Sequence, residues 1–327
     1  MAVGCVAMTS TKRQVQLVEF TAMHGVRYSI TLGYLKATSV ADPALDAACD
    51  FRISVREQSN GEQAITDLLD SWDEPFIVAL TVFFWNRAVS LEMARQVKQR
   101  WPGCRVVIGG NDVSYQQEPV FEQAPWIDVL VHGEGELRFR DLLHCFLDDG
   151  DLATIPGISY WAGGVMVTNP DADRITDLDQ IVSPILTPMY SDEEITASSM
   201  IIYETNRGCP YSCAFCYWGG ATNSKVRQFD LDRIFAELDR LIRLMPDEAT
   251  LFIADANFGI LARDRQIAEH IVELCRRYDK RLVVSTNWAK NSNDRIVEIA
   301  SMLHAADLTG AITLSAQSFD EIGRAHV

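Results

Sequence analysis

Short apolar runs rich in β-branched residues alternate with helix-like stretches through the first half of the chain. Between residues 90 and 100, for example, Leu91, Ala94 and Val97 recur at three-residue steps and share one helix face. Apolar strands separated by helices are typical of a parallel sheet that is covered on both faces. The pattern predicts a doubly wound, flavodoxin-like α/β sheet with strands at 14–20, 51–55, 76–84, 105–110 and 127–133.

A second strand–helix series begins near residue 200. Its first helix repeats Leu231, Ile234, Leu238 and Leu241 on one face, behind Asp230 as the helix-capping residue. Strands are predicted at 200–205, 250–256, 281–287 and 311–317, with two further helices at 263–278 and 293–305. Strands at this spacing, each followed by a helix, predict part of a (β/α) barrel.

The region between the two series carries turn signals. Residues 155–170 alternate about Ala162, Gly163 and Gly164 and predict a hairpin, which a proline-punctuated stretch follows. The second series stops after its fourth strand, and the tail "IGRAHV" resembles translated sequencing-adapter DNA. We therefore expect four regions: a doubly wound domain at 1–150, a hairpin and linker at 151–195, a truncated barrel of four βα units at 196–321, and a non-native tail at 322–327.

Composition and charge exclude several classes of protein. The chain is 48% apolar and 23% charged, as expected of a soluble globular protein. Its net charge is −16 and it shows no basic stripe, so a nucleic-acid partner is not expected. The sequence contains no apolar run of about 20 residues and no recognisable signal peptide. We expect a cytoplasmic protein without a membrane partner.

Three of the eight cysteines are clustered in the stretch "ETNRGCPYSCAFCYWGG". Cys209, Cys213 and Cys216 follow the first strand of the second series, at the end where barrel enzymes place their chemistry. A structural zinc site or a ferredoxin-type cluster would take a fourth ligand. Three thiolates instead leave one cluster iron open for a reactive ligand. The scattered cysteines are predicted to be small buried hydrophobes: Cys5, Cys49, Cys104, Cys145 and Cys275.

The run "CPYSCAFC" resembles the C-x3-C-x-Φ-C signature of radical S-adenosylmethionine enzymes, with Phe215 as the aromatic residue. In that family the cysteines hold a 4Fe-4S cluster, S-adenosylmethionine chelates the fourth iron, and reduction releases a 5′-deoxyadenosyl radical. The first half is similar to the cobalamin-binding domain that precedes the barrel in one large subgroup, through "VVIGGNDVS", "DVLVHGEGELRFRDLL" and "IPGISYWAGGVMV". The resemblance spans nearly the whole chain and implies three cofactors: the cluster, S-adenosylmethionine and cobalamin.

The same resemblance implies where the corrinoid binds. Two glycine turns follow the fourth and fifth predicted strands, and glycine lets backbone approach a ligand closely. The residues assigned to cobalamin are Gly109, Gly110, Gly133 and Glu134. Tight strand-to-helix turns without a ligand are the alternative. The Asp-x-His-x-x-Gly motif that supplies a lower axial histidine is absent, and His24 in the corresponding loop is interpreted as a plain loop residue.

Further positions are assigned to S-adenosylmethionine by resemblance. Tyr217 corresponds to a position whose backbone contacts the adenine. The stretch "DANFG" replaces the family's Gly-Gly-Glu-type motif, so that Asp255 or Asn257 is expected to accept the hydrogen bonds of the ammonium group. Ribose and carboxylate contacts are usual at three polar positions of the later strands: Asn287, Ser315 and Gln317. For each of these residues, a satisfied polar group at a strand end is the alternative.

We therefore expect a cobalamin-dependent radical methyltransferase that acts on an unactivated carbon of a small molecule or peptide. An electron donor such as flavodoxin or ferredoxin is its expected partner. Radical cyclisation or rearrangement without methyl transfer is the first alternative. A corrinoid-binding module or an inactive truncated fragment is the second, because the later barrel strands are missing from the sequence.

Overall fold

The protein is described by a computed structural model that covers residues 12–211, 216, 225–289 and 294–309. Within these ranges the first sheet has seven strands: β1 (Arg13–Thr21), β2 (Cys49–Glu57), β3 (Ile77–Thr81), β4 (Arg105–Gly109), β5 (Val129–Val131), β6 (Ile158–Ala162) and β7 (Val165–Thr168). Their order is β2-β1-β3-β4-β5-β6-β7. Strands β1 to β5 pair in parallel, which confirms the predicted parallel sheet.

Helices cover both faces of this sheet, because its strands alternate two apolar faces. Val15 and Leu17 of β1 pack on one side, and Val18 and Phe20 pack on the other. The covering helices are α1 (Ile30–Val40), α2 (Pro43–Ala48), α3 (Gly61–Ser71), α4 (Arg87–Arg100), α5 (Gln117–Gln123) and α6 (Glu136–Leu147). Across the described residues, no helix is long and apolar enough to cross a membrane.

The predicted hairpin forms strands β6 and β7, with Gly163 and Gly164 in the left-handed region at its turn. The hairpin joins the first sheet, because β6 pairs antiparallel with β5 in the register Val131↔Ile158. The hairpin therefore continues the first sheet. The domain boundaries at 150 and 195 stay predictions.

The second series forms a smaller parallel sheet. Its elements in the described residues are α7 (Asp192–Thr196), β8 (Met200–Tyr203), β9 (Asn206–Arg207), β10 (Arg227–Gln228), α8 (Leu231–Leu244), β11 (Thr250–Phe258), α9 (Arg263–Arg277), β12 (Val283–Trp288) and α10 (Asp294–Ala305). The sheet order is β12-β11-β8, and β9 pairs separately with β10. Asp230 caps α8 as predicted, since its side chain accepts from the Asp232 amide. The predicted strand at 311–317 lies outside the described residues.

The proline-punctuated connection is part of the second core. Leu178, Ile181 and Ile185 are almost fully buried in the apolar cluster that also contains the residues of α8 and β11. Tyr190 donates its hydroxyl hydrogen to the carbonyl of Ser29, at the beginning of α1. The connection therefore fastens the two sheets to each other.

Several strands are shorter than predicted, and the early end of β3 leaves room for a turn. Strand β3 ends at Thr81, whereas the prediction extended to residue 84. The buried Asn86 side chain ends the strand, because it accepts from the Phe83 amide and donates to the carbonyls of Phe20 and Thr81. Phe83, Phe84 and Trp85 thus form an aromatic turn instead of a strand end.

Gly110 provides a first test of how these strand ends pack. Its φ is +121°, and a Cβ atom there would lie 2.3 Å from the carbonyl oxygen of Val82. Gly110→Ala should therefore lower the free energy of unfolding by about 2 kcal/mol or more. Gly103→Ala is the matched control, because a Cβ at Gly103 meets nothing within 4 Å. Urea unfolding measures both, and equal stabilities for the two variants would contradict the packing described for Gly110.

Candidate functional site

A cavity of about 350 Å³ lies where strand ends of the two sheets meet. This volume is in the range of small-molecule sites, which favour the carboxyl ends of parallel strands. The first sheet contributes turns after β3, β4 and β5: Phe83, Gly109, Gly110, Asn111 and His132 to Glu136. The second series contributes Glu204, Asn206, Arg207, Gly208, Arg227, Ala254 and Ala256.

The four residues assigned to the corrinoid all line this cavity. At Gly109 and Gly133 the backbone of the cavity wall is not covered by a side chain. A Cβ atom at either position would lie at least 3.4 Å from its nearest neighbouring atom. Gly133 has φ +65°, a conformation that glycine adopts without strain. The wall therefore fits a flat ligand that must approach the backbone closely.

The Glu134 carboxylate is held by residues outside the first sheet. Its Oε1 lies 2.8 Å from Arg227 Nη1, and its Oε2 accepts from the Ile175 amide at 2.9 Å. The sequence pattern indicates only a corrinoid contact for Glu134. In the structure its side chain also joins the two sheets.

A buried histidine supports the same turn. His132 Nδ1 accepts from the Tyr115 amide at 3.0 Å, so its Nε2 carries the hydrogen and faces Ser159 Oγ at 2.8 Å. Burial lowers the pKa of His132, which favours this neutral form. Tyr115 has φ 61° and stacks on the imidazole at the cavity wall. Sequence reasoning assigned no role to His132 or Tyr115, although His132 stands at the start of the "HGEGE" turn.

Arg207 is the centre of a buried charge network between the sheets. Its Nη2 lies 2.7 Å from Glu136 Oε1 and 2.7 Å from Glu204 Oε1, and its Nη1 lies 3.4 Å from Glu134 Oε1. The ring of Tyr34 faces the guanidinium at 5.4 Å. Burial alone would lower the pKa of Arg207, but the carboxylates of Glu136 and Glu204 outweigh it and raise the pKa well above its usual range. The network fixes the β8–cysteine loop against the first sheet.

The Asp255 carboxylate is occupied by the same loop. Oδ1 accepts from the Thr205 amide at 2.7 Å and the Asn206 amide at 3.3 Å, and Oδ2 accepts from the Thr205 hydroxyl and from Asn206 Nδ2. These four bonds use the lone pairs of both oxygens. In this arrangement Asp255 positions the loop, and its assignment to the ammonium of S-adenosylmethionine stays a prediction.

Asn257 lies beside the first of the clustered cysteines. Its Nδ2 donates to Cys209 Sγ at 3.2 Å, and both residues are buried. Its Oδ1 is buried without a hydrogen-bond partner. A buried carbonyl of this kind is a costly arrangement unless a ligand supplies a donor. The Asn257 oxygen therefore fits the ammonium group that sequence reasoning assigned to this position.

The other assigned residues are placed only in part. Asn287 donates to the carbonyl of Asp255 at 3.5 Å, and Cys216 is half-buried. Five assigned residues lie outside the described residues: Cys213, Phe215, Tyr217, Ser315 and Gln317. Among the described residues, no group of three metal-binding side chains is formed, which is expected since Cys213 is not among them. His24 does not line the cavity; its exposed ring faces Glu57 at 2.9 Å.

Most of the scattered cysteines lie in apolar surroundings. Burial raises the pKa of Cys49 and Cys275 to about 11 and that of Cys104 to about 12. Burial also raises the pKa of the half-buried Cys145. The prediction of buried hydrophobes is thus confirmed for Cys49, Cys104 and Cys275, whereas Cys5 lies outside the described residues.

No protein-family model matches the chain, but individual proteins do. The chain is 38% identical over 297 residues to the cobalamin-dependent radical SAM methyltransferase TokK of Streptomyces tokunonensis, a match that covers 89% of this chain and 43% of TokK. It is 36% identical over 315 residues to a 2-(S-pantetheinyl)-carbapenam-3-carboxylate methyltransferase of Streptantibioticus cattleyicolor, covering 94% of this chain and 45% of that enzyme. The chain therefore spans about half the length of these curated relatives.

A solved structure shares the fold. The cobalamin-dependent S-adenosylmethionine radical enzyme OxsB, with aqua-cobalamin and S-adenosylmethionine bound, matches with a TM-score of 0.65 at 22% identity. The match covers 92% of this chain and 43% of the OxsB chain. The fold of this chain, with both of its sheets, therefore resembles the fold of the matched part of OxsB.

The Arg207 network predicts a large effect on stability. Arg207→Met removes the cation and leaves the buried Glu136 and the half-buried Glu204 without their partner, so the free energy of unfolding should fall by about 3 kcal/mol. Arg265→Met is the control, because Arg265 pairs with Glu269 and Glu298 at the exposed surface and should stay close to wild type. Chemical denaturation compares the two, and a loss no larger than that of the control would rule out the network as a structural support.

The buried Asp255 carboxyl should make the free energy of unfolding depend on pH. Burial raises the pKa of Asp255 to about 7, against the lowering effect of Thr205. Because the folded state then binds a proton more tightly than the unfolded state, the Asp255 contribution to stability should fall as pH rises from about 4 to about 7. Asp255→Asn resembles the protonated carboxyl and lacks this titration. The stability of wild type minus that of the variant should decrease across this window, and a constant or rising difference would show that Asp255 is ionised throughout.

Proposed function

The chain belongs to the family of cobalamin-dependent radical S-adenosylmethionine enzymes, and on this premise we propose that it takes part in methyl transfer to an unactivated carbon of a small molecule. The observation that supports the proposal is that two structural features line the same cavity. The glycine turns of the first sheet line the cavity, and the strand that leads into Cys209 lines it from the other side.

The residues present fit the proposed cofactors. Cys209, Cys213 and Cys216 would hold a 4Fe-4S cluster, and the Asn257 oxygen would accept from the amino group of S-adenosylmethionine. Gly109, Gly110 and Gly133 would border the corrinoid. When bound, the cluster supplies the electron, S-adenosylmethionine the methyl and radical groups, and cobalamin carries the methyl group.

The protein's own part is orientation. Asp255 accepts hydrogen bonds from the amides of Thr205 and Asn206. Arg207, the next residue of the loop, pairs with Glu136. These bonds hold three consecutive residues between β8 and Cys209 in place before any ligand binds. A preorganised segment lowers the reorganisation that binding and reaction require.

The proposed substrate class rests on the relatives, and the proposed electron donor rests on the chemistry of the reaction. The relatives are methyltransferases, one of them named for a carbapenam carboxylate, which supports a small-molecule substrate. The proposed reaction also takes electrons from outside, for which flavodoxin or ferredoxin is the proposed class of donor. The proposal favours methyl transfer over cyclisation because the relatives reported above are both methyltransferases.

Cluster assembly is the direct test. After anaerobic reconstitution with iron, sulfide and hydroxocobalamin, the wild-type chain should hold about four iron atoms and retain corrinoid. Cys213→Ala should lose the cluster and all reductive cleavage of S-adenosylmethionine. Cys275→Ala, at a buried position of α9, should keep both. Iron analysis, visible absorption and chromatography of 5′-deoxyadenosine measure these outcomes.

Two results would contradict the proposal. One is an unchanged cluster in Cys213→Ala, which would refute the cysteine site. The other is a wild-type chain that binds neither iron–sulfur cluster nor corrinoid. Formation of S-adenosylhomocysteine together with 5′-deoxyadenosine would separate methyl transfer from a radical rearrangement, which forms no S-adenosylhomocysteine.

A further inference from the structure

The side-chain amide of Asn257 in β11 contacts the sulfur of Cys209, at a place where the pairing of β11 with β12 is irregular. The register of the pair shifts between Ile253 and Phe258, and Asn257 lies within this irregular stretch. Asn257 is 4% exposed, and its Nδ2 lies 3.2 Å from Cys209 Sγ. The contact is therefore buried, and water does not compete for it.

The orientation of this amide is determined by the sulfur. The Nδ2 group faces the sulfur at 3.2 Å, which is the orientation that a cluster-bound cysteine sulfur, an acceptor only, requires. The carbonyl oxygen then has no partner and is buried. One side chain thus presents a donor to Cys209 and a vacant acceptor in another direction.

We propose that Asn257 couples the reduction of the cluster to the binding of S-adenosylmethionine, by donating to the Cys209 sulfur and accepting from the ammonium of the ligand. The proposal rests on the proposed function, since it takes Cys209 as a cluster ligand. Asn257 is a positioning and tuning residue, acting through the sulfur that it contacts.

The donor side of the amide acts on the reduction potential. Reduction transfers one electron from an external low-potential reductant to the cluster and makes the cysteine sulfurs more negative. A hydrogen bond to a sulfur stabilises that state and raises the potential. A hydrogen bond to a charged acceptor has a large effect in a buried site, so a tenfold change in the equilibrium constant for reduction is expected.

The acceptor side makes the effect depend on the ligand. An ammonium that donates to Asn257 Oδ1 polarises the amide and strengthens its N–H donor towards the sulfur. S-adenosylmethionine should therefore raise the reduction potential through this residue. By thermodynamic linkage, reduction should tighten the binding of S-adenosylmethionine by the same factor.

Two substitutions separate the two sides of the amide. Asn257→Leu removes both the donor and the acceptor at similar volume. Asn257→Asp keeps an acceptor and loses the donor. Thr250→Val, at the beginning of the same strand, is the control for changes in β11. Each protein is reconstituted anaerobically and titrated with a low-potential reductant under EPR detection, with and without an analogue of S-adenosylmethionine that keeps the ammonium group but cannot be cleaved.

The expected results differ between the variants. Both Asn257 variants should be about tenfold harder to reduce than Thr250→Val, a shift of about 59 mV to more negative potential. Equilibrium dialysis should show about tenfold weaker binding of S-adenosylmethionine to Asn257→Leu, and binding to Asn257→Asp that is as tight as to wild type. The ligand-induced rise in potential should be absent from Asn257→Leu.

The outcomes distinguish this inference from the proposed function. If the clusters form and both Asn257 variants share the potential and ligand affinity of Thr250→Val, the coupling is refuted while the cluster site stands. If wild type itself forms no cluster, the proposed function fails and the inference fails with it. If Asn257→Leu does not fold, the potential and ligand affinity of Asn257→Asp decide the question.

Discussion

One buried guanidinium determines how the two sheets meet. Arg207 pairs with the buried Glu136 at the beginning of α6 and with the half-buried Glu204 of the second series. Charges buried in this way are tolerated only while all partners stay in place. Since Arg207 precedes Cys209 by one intervening glycine, the same constraint sets the position of the cysteine loop relative to the glycine turns.

The sequence predicted the elements of the fold well because periodicity depends on local burial. In the second series, β8, β11, β12 and the helices α8, α9 and α10 begin within a few residues of their predicted places, whereas the short elements α7, β9 and β10 were not predicted. The end of β3 was missed because Phe83 and Phe84 continue an apolar run, whereas a distant side-chain contact, from Asn86 to Phe20, ends the strand. The burial of the connection also escaped prediction, since prolines indicate irregular backbone without showing what covers it.

The candidate site was predictable where its chemistry depends on the spacing of residues along the chain. The cysteine triplet and the glycine turns have a recognisable pattern; the glycines line the cavity, and Cys209 follows Gly208, which also lines it. Pairing between distant residues has no such pattern. The hydrogen bonds that Asp255 accepts from Thr205 and Asn206 therefore went unseen, as did the roles of Arg207, His132 and Tyr115.

The environment of the scattered cysteines has a consequence for metal loading. Thiols whose pKa lies near 11 or 12 stay protonated at neutral pH, and a protonated sulfur is a poor ligand for iron. Cys49, Cys104 and Cys275 are also screened by apolar side chains from any iron-delivering protein. Among the described residues, Cys49, Cys104 and Cys275 are therefore weak competitors for iron, because the packing of the core itself keeps their sulfurs protonated and covered.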